Sequence, residues 1–236
     1  MGTVKKIYIV HGWLYDTSGW QKFVELLTKA GYTPVLLSVP GLTAPIDRPW
    51  TLDDYVVWLK ETLKDETEPV ILLGHSNGGR ISTLFASRYP EKVRALILIG
   101  AAGIYHNDLR IRLKRAIFGT LASVGKLLGR VEFLRRILYK LAREHDYEKA
   151  TPMMRKTMAN LITVDLVPTL AAITVPTLLI WGRNDGSTPL SDGYRFKEGI
   201  ANSQLVIIDG ARHSPHVTHP EEVFNQVQSF FNHGSF

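Results

Sequence analysis

The sequence predicts an α/β fold: a doubly wound, mostly parallel sheet of about six strands with an inserted helical cap. Two patterns support this expectation. Short runs rich in Ile, Leu and Val recur without polar alternation, which is typical of strands buried on both faces. Longer amphipathic stretches separate these runs, and strand alternating with helix indicates a sheet covered by helices. At 236 residues the chain is long enough for one such domain.

The strands are expected at the apolar runs, and helices are expected between them. The predicted strands are Ile7–Val10, Val35–Leu37, Val70–Leu73, Leu96–Ile99, Thr177–Trp181 and Leu205–Ile208. The predicted helices are Trp20–Ala30, Leu52–Leu63, Gly79–Tyr89 and Pro220–Phe231. The last of these has proline at its start, two glutamates in its first turn and a glycine beyond its end, which are helix start and stop signals.

The alternation fails between the fourth and fifth predicted strands. Residues 104–168 show helical patterns only, so we expect them to form a cap inserted into a core of residues 1–103 and 169–236. This segment holds 13 Lys/Arg against 6 Asp/Glu, whereas the remainder of the chain holds 15 against 16. The net charge of +6 is therefore local to the predicted cap.

Composition and charge narrow the function classes. A locally basic segment does not favour nucleic-acid binding; we interpret it as the solvated outer face of the cap. Docking of an acidic acyl carrier protein and attachment to anionic lipid stay open. No stretch approaches the roughly 20 apolar residues of a membrane span, and no secretory signal is evident, so a cytoplasmic protein is expected. The absence of cysteine excludes disulfides and thiolate metal sites.

The sharpest functional signal is a G-x-S-x-G motif at 74–78, directly between a buried strand and an amphipathic helix. In that setting the motif makes a nucleophile elbow, in which Ser76 occupies a strained turn above the sheet. Gly74 and Gly78 are needed because side chains there would collide with the neighbouring strand and helix. The helix after Ser76 directs its free N–H groups at the reaction site.

A serine hydroxyl is a poor nucleophile unless a base takes its proton. His213 follows the last predicted strand and Asp185 follows the one before it, on loops where catalytic groups gather in such sheets. The chain order Ser, Asp, His is that expected after a nucleophile elbow. We therefore predict that His213 is the general base and that Asp185 fixes its tautomer and stabilises its charged form.

Together these motifs resemble the α/β-hydrolase superfamily, in its serine hydrolase branch with a helical cap, from about Lys6 to Phe231. The matching pieces are His11-Gly12-Trp13 with Trp20, Val39-Pro40-Gly41, Thr51 to Tyr55, the elbow, Tyr89 to Val93, Trp181-Gly182 with Asp185 and Pro189, and His213 with Pro220. The resemblance implies an oxyanion hole formed by the backbone N–H groups of Trp13 and Asn77, with His11 and Gly12 in a supporting role.

Other polar residues have plainer interpretations. His213, His216 and His219 recur at intervals of three, but without a nearby carboxylate pair they do not predict a metal site, and we expect His216 and His219 on the surface. We expect His75 to point to the sheet side of the elbow. Alternative acids that are less well placed than Asp185 are Asp16, Asp108 and Asp165.

The expected reaction is hydrolysis of a small carboxylic ester through an acyl-enzyme, with a hydrophobic acyl group because an apolar cap covers the serine. A carboxylesterase or small lipase is the leading expectation, and no cofactor or metal is required. The alternatives are a thioesterase or acyl-carrier-linked methyl esterase, a C–C bond hydrolase, an acyltransferase, and a non-catalytic binding protein. The set of Ser76, Asp185 and His213 argues against the last, since binding needs no such trio.

Overall fold

Six strands form the sheet at the centre of the fold. A computed structural model describes residues 5–106 and 150–233 of the chain. The strands are β1 (Lys5–Val10), β2 (Tyr32–Leu36), β3 (Val70–His75), β4 (Val93–Ile99), β5 (Thr177–Gly182) and β6 (Ser203–Ile208). Their order is β2-β1-β3-β4-β5-β6, and all five pairings are parallel. The predicted α/β sheet of six strands is therefore confirmed, and its described part is parallel throughout.

Helices connect the strands and cover both faces. They are α1 (Gln21–Lys29), α2 (Leu52–Thr62), α3 (Asn77–Arg88), α4 (Pro152–Ile162), α5 (Leu190–Gly199), α6 (Pro215–Thr218) and α7 (Pro220–His233). Short 3-10 turns occur at Ser18–Trp20, Pro90–Lys92 and Val167–Ala172. Helix α2 begins with a capping box, in which Thr51 and Asp54 each accept a hydrogen bond from the other's backbone N–H. No helix within the described ranges is long and apolar enough to cross a bilayer.

Alternate residues of each central strand pack on opposite faces of the sheet. In β1, Ile7 and Ile9 pack with α1 and α7, whereas Tyr8 and Val10 pack with α2 and α3. Every residue of β3 and β5 is buried. This two-sided burial explains why the strands are apolar without polar alternation, as a doubly wound sheet requires.

The predicted cap falls in the connection between β4 and β5, which are directly paired neighbours. Positions 107–149 of it lie outside the described residues. The part that follows them, α4, is fastened to the core at Trp50. The N–H of Trp50 donates to the Thr157 hydroxyl and its carbonyl accepts from Asn160, both at 3.0 Å. The boundaries of the cap at 104 and 168 stay a prediction.

Arg80 of α3 joins this connection to the helix that follows Ser76. Its buried guanidinium donates from Nη1 to the carbonyl oxygens of Leu161, at 2.6 Å, and Val164, at 2.8 Å. Leu161 lies in the last turn of α4, where carbonyl groups have no partner within the helix and a cation is a favourable donor to them. Burial lowers the pKa of Arg80 to about 10, so the side chain is still charged at neutral pH.

Candidate active site

Ser76 occupies the turn from β3 to α3 in a conformation that side chains rarely adopt. Its φ is 54° and its ψ is −119°, and among the described residues other than glycine it alone has a positive φ. A Cβ at Gly78 would lie 1.9 Å from the carbonyl oxygen of Val10, and one at Gly74 would lie 2.7 Å from the carbonyl oxygen of Gly78. The motif glycines therefore let three backbone segments approach one another, which holds the serine at the carboxyl edge of the sheet.

The three residues predicted to act together converge at this edge. His213 Nδ1 lies 2.8 Å from Asp185 Oδ2, and His213 Nε2 lies 2.8 Å from Ser76 Oγ. An ionised carboxylate only accepts hydrogen bonds, so Nδ1 of His213 carries the hydrogen in this contact. The other ring nitrogen then has a free lone pair and accepts from the serine hydroxyl. This is the arrangement that a general base needs in order to remove the hydroxyl proton.

The carboxylate of Asp185 is saturated with donors. Its Oδ1 accepts from the backbone N–H groups of Ser187, at 2.8 Å, and Thr188, at 3.0 Å, and its Oδ2 also contacts the Thr188 hydroxyl at 2.8 Å. Burial alone raises the pKa of Asp185, but His213 and the two backbone donors outweigh burial and lower it below its ordinary value. Asp185 is therefore an anion at neutral pH, although its side chain is 0% exposed.

Thr188 was not singled out from the sequence. Its hydroxyl lies 2.8 Å from Asp185 Oδ2, 3.1 Å from the carbonyl oxygen of Gly100 and 3.3 Å from His213 Nδ1, so it lies at the contact between Asp185 and His213. The sequence did contain a local signal for this contact. An aspartate often accepts hydrogen bonds from backbone N–H groups of the residues that follow it in a turn, and Ser187 and Thr188 follow Asp185 at that spacing.

The loop after β1 passes directly beside Ser76. A Cβ at Gly12 would lie 2.9 Å from Ser76 Cβ, so only glycine lets the backbone approach this closely. His11 is fully buried; its Nδ1 donates to the carbonyl of Gly12 and its Nε2 accepts from the Thr43 hydroxyl, both at 2.9 Å. The backbone that continues into Trp13 is thereby tied to the next loop of the sheet edge.

Two side-chain N–H groups of residues flanking the serine are buried without a hydrogen-bond partner among the described residues: Nε1 of Trp13 and Nδ2 of Asn77. These are the residues whose backbone N–H groups the family resemblance assigns to the oxyanion hole. Asn77 is the first residue of α3. Its backbone N–H has no acceptor within the helix, because the first N–H groups of any helix lack one.

The prediction that His216 lies on the surface is wrong. Its side chain is 1% exposed and stacks on Trp20 with ring centroids 4.0 Å apart. The short helix α6 turns the chain after His213 so that this residue faces inward. Burial, together with the nearby His213, lowers the pKa of His216 to about 3. His219 is only partly buried.

The remaining candidates have structural partners. Asp16 accepts from the backbone N–H of Ser18 at 2.9 Å. Asp165 accepts from the N–H of Tyr105 at 3.2 Å. Asp108 lies outside the described residues. Within the described ranges no group of three or more His, Asp or Glu side chains is arranged to hold a metal ion.

Comparisons with known proteins agree with this architecture. A model of the alpha/beta hydrolase family matches residues 7–226. A 2-hydroxy-6-oxononadienedioate/2-hydroxy-6-oxononatrienedioate hydrolase of Pseudomonas putida is 26% identical over an alignment of 261 positions, which covers 96% of this chain and 88% of that protein. The biotin biosynthesis bifunctional protein BioHC of Teredinibacter turnerae is 28% identical, with 95% of this chain matching 44% of that longer protein.

A solved structure has a similar fold. A bacterial membrane phospholipase A superposes with a TM-score of 0.74 at 24% identity, over 98% of this chain and 80% of that one. At that identity the likeness shows the fold alone.

Proposed function

This chain belongs to the alpha/beta hydrolase family, and from that premise we propose that it is a serine hydrolase that cleaves small carboxylic esters of hydrophobic acids. The observation that carries the proposal is the continuous hydrogen-bonded path from Ser76 Oγ through the ring of His213 to Asp185, with 2.8 Å at each step. A path of this kind converts a weakly nucleophilic hydroxyl into an attacking group at neutral pH.

In the proposed reaction, Ser76 Oγ attacks the ester carbonyl while His213 Nε2 takes the hydroxyl proton. The carbonyl oxygen becomes an oxyanion, which the backbone N–H groups of Trp13 and Asn77 stabilise; one such donor is worth about 3–4 kcal/mol in the transition state. Collapse of this intermediate breaks the bond to the alkoxy oxygen, which leaves as the alcohol with the proton from His213. Water, deprotonated by His213, then attacks the acyl-enzyme and releases the acid and Ser76.

The Pseudomonas putida relative favours a second candidate function. Its name specifies hydrolysis of a hydroxy-oxo-dienedioate. Such a molecule contains no ester, thioester or amide, so water divides its carbon chain only by breaking a C–C bond next to the ketone. The same nucleophile, base and oxyanion donors would serve that reaction. Carrier-protein docking and anionic-lipid binding stay proposals attached to the predicted basic cap, most of which lies beyond the described residues.

The test is hydrolysis of p-nitrophenyl esters from acetate to palmitate by the native chain, by Ser76→Ala and by the matched control Ser87→Ala. Ser87 lies on the same helix, and its hydroxyl donates to the carbonyl of Leu84. We expect activity in the native chain and in Ser87→Ala, and its loss in Ser76→Ala. The preferred chain length reports the depth of the acyl site.

Labelling with a fluorophosphonate and ultraviolet decay of a hydroxy-oxo-dienedioate separate the alternatives. If the reagent labels Ser76 and the chain consumes the dienedioate but cleaves no ester, C–C bond hydrolysis replaces ester hydrolysis as the proposed function. If the native chain neither labels nor turns over either substrate, both functions are rejected. The remaining interpretation is then a non-catalytic binding protein on this fold.

A further inference from the structure

Three buried aromatic side chains meet beneath the turn that carries Ser76; we call Trp20, His75 and His216 the ring cluster. Ring centroids are 4.0 Å apart between Trp20 and His216, 4.4 Å between His75 and His216, and 6.0 Å between Trp20 and His75. None of the three side chains is more than 3% exposed. The mechanism derived above uses none of them.

Each ring comes from a different segment of the active site. Trp20 ends the 3-10 turn that follows the proposed oxyanion loop, His75 directly precedes Ser76, and His216 follows His213 by three residues. The ring cluster is therefore the point at which the segments of the oxyanion donor, the nucleophile and the base pack against one another. A buried ring stack of this kind has few alternative packings, since protein interiors are close-packed.

His75 contacts the base segment through a hydrogen bond to the main chain of His213 itself. Its Nε2 lies 3.0 Å from the carbonyl oxygen of His213. A carbonyl oxygen only accepts, so Nε2 of His75 must carry the hydrogen and donate it. Its Nδ1 then bears a lone pair, which agrees with the finding that this atom is buried without a partner among the described residues.

The other edge of the same ring faces the oxyanion loop. A Cβ at Gly12 would lie 2.9 Å from His75 Nδ1, so the glycine backbone packs against the imidazole. Burial, with smaller effects from the neighbouring histidines, lowers the pKa of His75 well below its ordinary value. A neutral ring suits this place because its centroid is 5.0 Å from that of His213, which becomes a cation during the reaction.

We propose that His75 is a positioning residue, which holds the main chain of His213 at the distance that proton transfer from Ser76 requires. Its Nε2–H···O bond is the direct restraint, and Trp20 and His216 fix the plane of its ring. This inference rests on the proposed serine hydrolase function and deepens it. If the bond is lost, the main chain of His213 has one restraint fewer, and a misplacement of 1 Å at a reacting centre costs about 100-fold in rate.

Two substitutions separate the hydrogen bond from the bulk of the side chain. His75→Gln retains an N–H donor at a similar reach, whereas His75→Met fills the space without a donor. For the p-nitrophenyl ester that the native chain prefers, we expect kcat of His75→Met to fall by about 10- to 100-fold, with KM within about twofold of native. The Gln variant should retain kcat within about fivefold of native, because the hydrogen bond is preserved.

The rate of fluorophosphonate labelling is a second readout, since it depends on Ser76 and its base but not on an ester substrate. It should fall in His75→Met in parallel with kcat. Labelling of the native chain without ester cleavage would reject the proposed substrate class, while the labelling rates of the two variants would still test His75. If the native chain neither labels nor cleaves, both proposals fail.

Nitrogen-15 NMR of the native protein tests the hydrogen bond without any substitution, in case a variant does not fold. We expect the His75 ring to be neutral, with hydrogen on Nε2 and a bare Nδ1. Hydrogen on Nδ1 instead would overturn the proposal, because that tautomer cannot donate to the His213 carbonyl. The proposal is also overturned if His75→Met has the same kcat and labelling rate as the native chain. It is overturned as well if kcat falls equally in the Met and Gln variants.

Discussion

The buried imidazole of His216 should make the stability of the fold depend on pH. In the folded chain, burial and the nearby His213 lower the pKa of this ring from 6.5 to about 3. In the unfolded chain the ring is in water and titrates near 6.5. Below that pH the unfolded chain binds a proton that the folded chain does not bind, so the free energy of unfolding falls. The free energy of unfolding that depends on a neutral His216 ring is therefore fully present above pH 6.5 and is lost progressively as the pH falls toward 3.

The size of the effect follows from the two pKa values. Each pH unit between the two pKa values is worth about 1.4 kcal/mol. Lowering the pH from 7 to 5 covers about 1.5 units below 6.5, so it should cost about 2 kcal/mol through His216 alone. His75, whose pKa is also lowered by burial, adds to the loss in the same direction. His216→Phe keeps an aromatic ring against Trp20 but takes up no proton. We expect the loss between the two pH values to shrink by about 2 kcal/mol in this variant.

Urea unfolding followed by tryptophan fluorescence at pH 7 and pH 5 measures this difference. The matched control is His219→Gln, which removes a partly buried histidine three residues away and should lose as much stability as the native chain. Comparing differences between the two pH values removes any constant cost of fitting a larger ring. If His216→Phe and the native chain lose equal stability, the imidazole is not excluded from water as its 1% exposure implies, and the reasoning fails.

Three further predictions concern the serine site. Thr188→Val removes the hydroxyl at 2.8 Å from Asp185 Oδ2 and should lower kcat by about 10- to 150-fold at unchanged KM, since a hydrogen bond to a charged group is worth about 1.5–3 kcal/mol. Unchanged kcat in steady-state kinetics would show that the Thr188 hydroxyl does not support Asp185. Gly78→Ala places Cβ 1.9 Å from a carbonyl oxygen of β1, so overpacking should lower Tm by about 2–12 °C. The control Gly186→Ala, with open space around its Cβ, should leave Tm unchanged in the same thermal unfolding measurement. Equal shifts in Tm for the two variants would contradict the predicted clash at Gly78. Ser76→Gly should resist urea better than Ser76→Ala by about 1 kcal/mol, because glycine adopts a φ of 54° freely; the opposite order would show that the turn is not strained.

The sheet was predictable because its strands are buried on both faces and so form apolar runs that are hard to mistake. Helix starts were less certain: α3 was predicted from Gly79 and begins at Asn77. Helices α5 and α6 were not predicted. Helix α5 contains two glycines and few apolar residues; it is held by packing of Gly193 and Phe196 against Trp181. Such tertiary contacts override local propensity.

The candidate site also contains features that the sequence predicted and features that it did not. Ser76, Asp185 and His213 were predictable because a motif and a chain order identify them, and the structure brings them together. The burial of His216 was not predictable, since it depends on how the four residues of α6 pack against α1 and α7. The bond from His75 to His213 joins residues 138 positions apart, and neither residue type nor spacing indicates such a contact.

The backbone of Ser76 has a consequence for any effort to make this protein more robust. Its φ of 54° is a conformation that costs a serine about 1–3 kcal/mol and that glycine adopts freely. Directed evolution or computational redesign that ranks substitutions by folding free energy alone will therefore favour glycine in place of Ser76, the proposed nucleophile. Screens for thermostable variants of this chain therefore need a simultaneous assay of activity, because glycine at position 76 would relieve the backbone strain and remove the hydroxyl on which the proposed reaction depends.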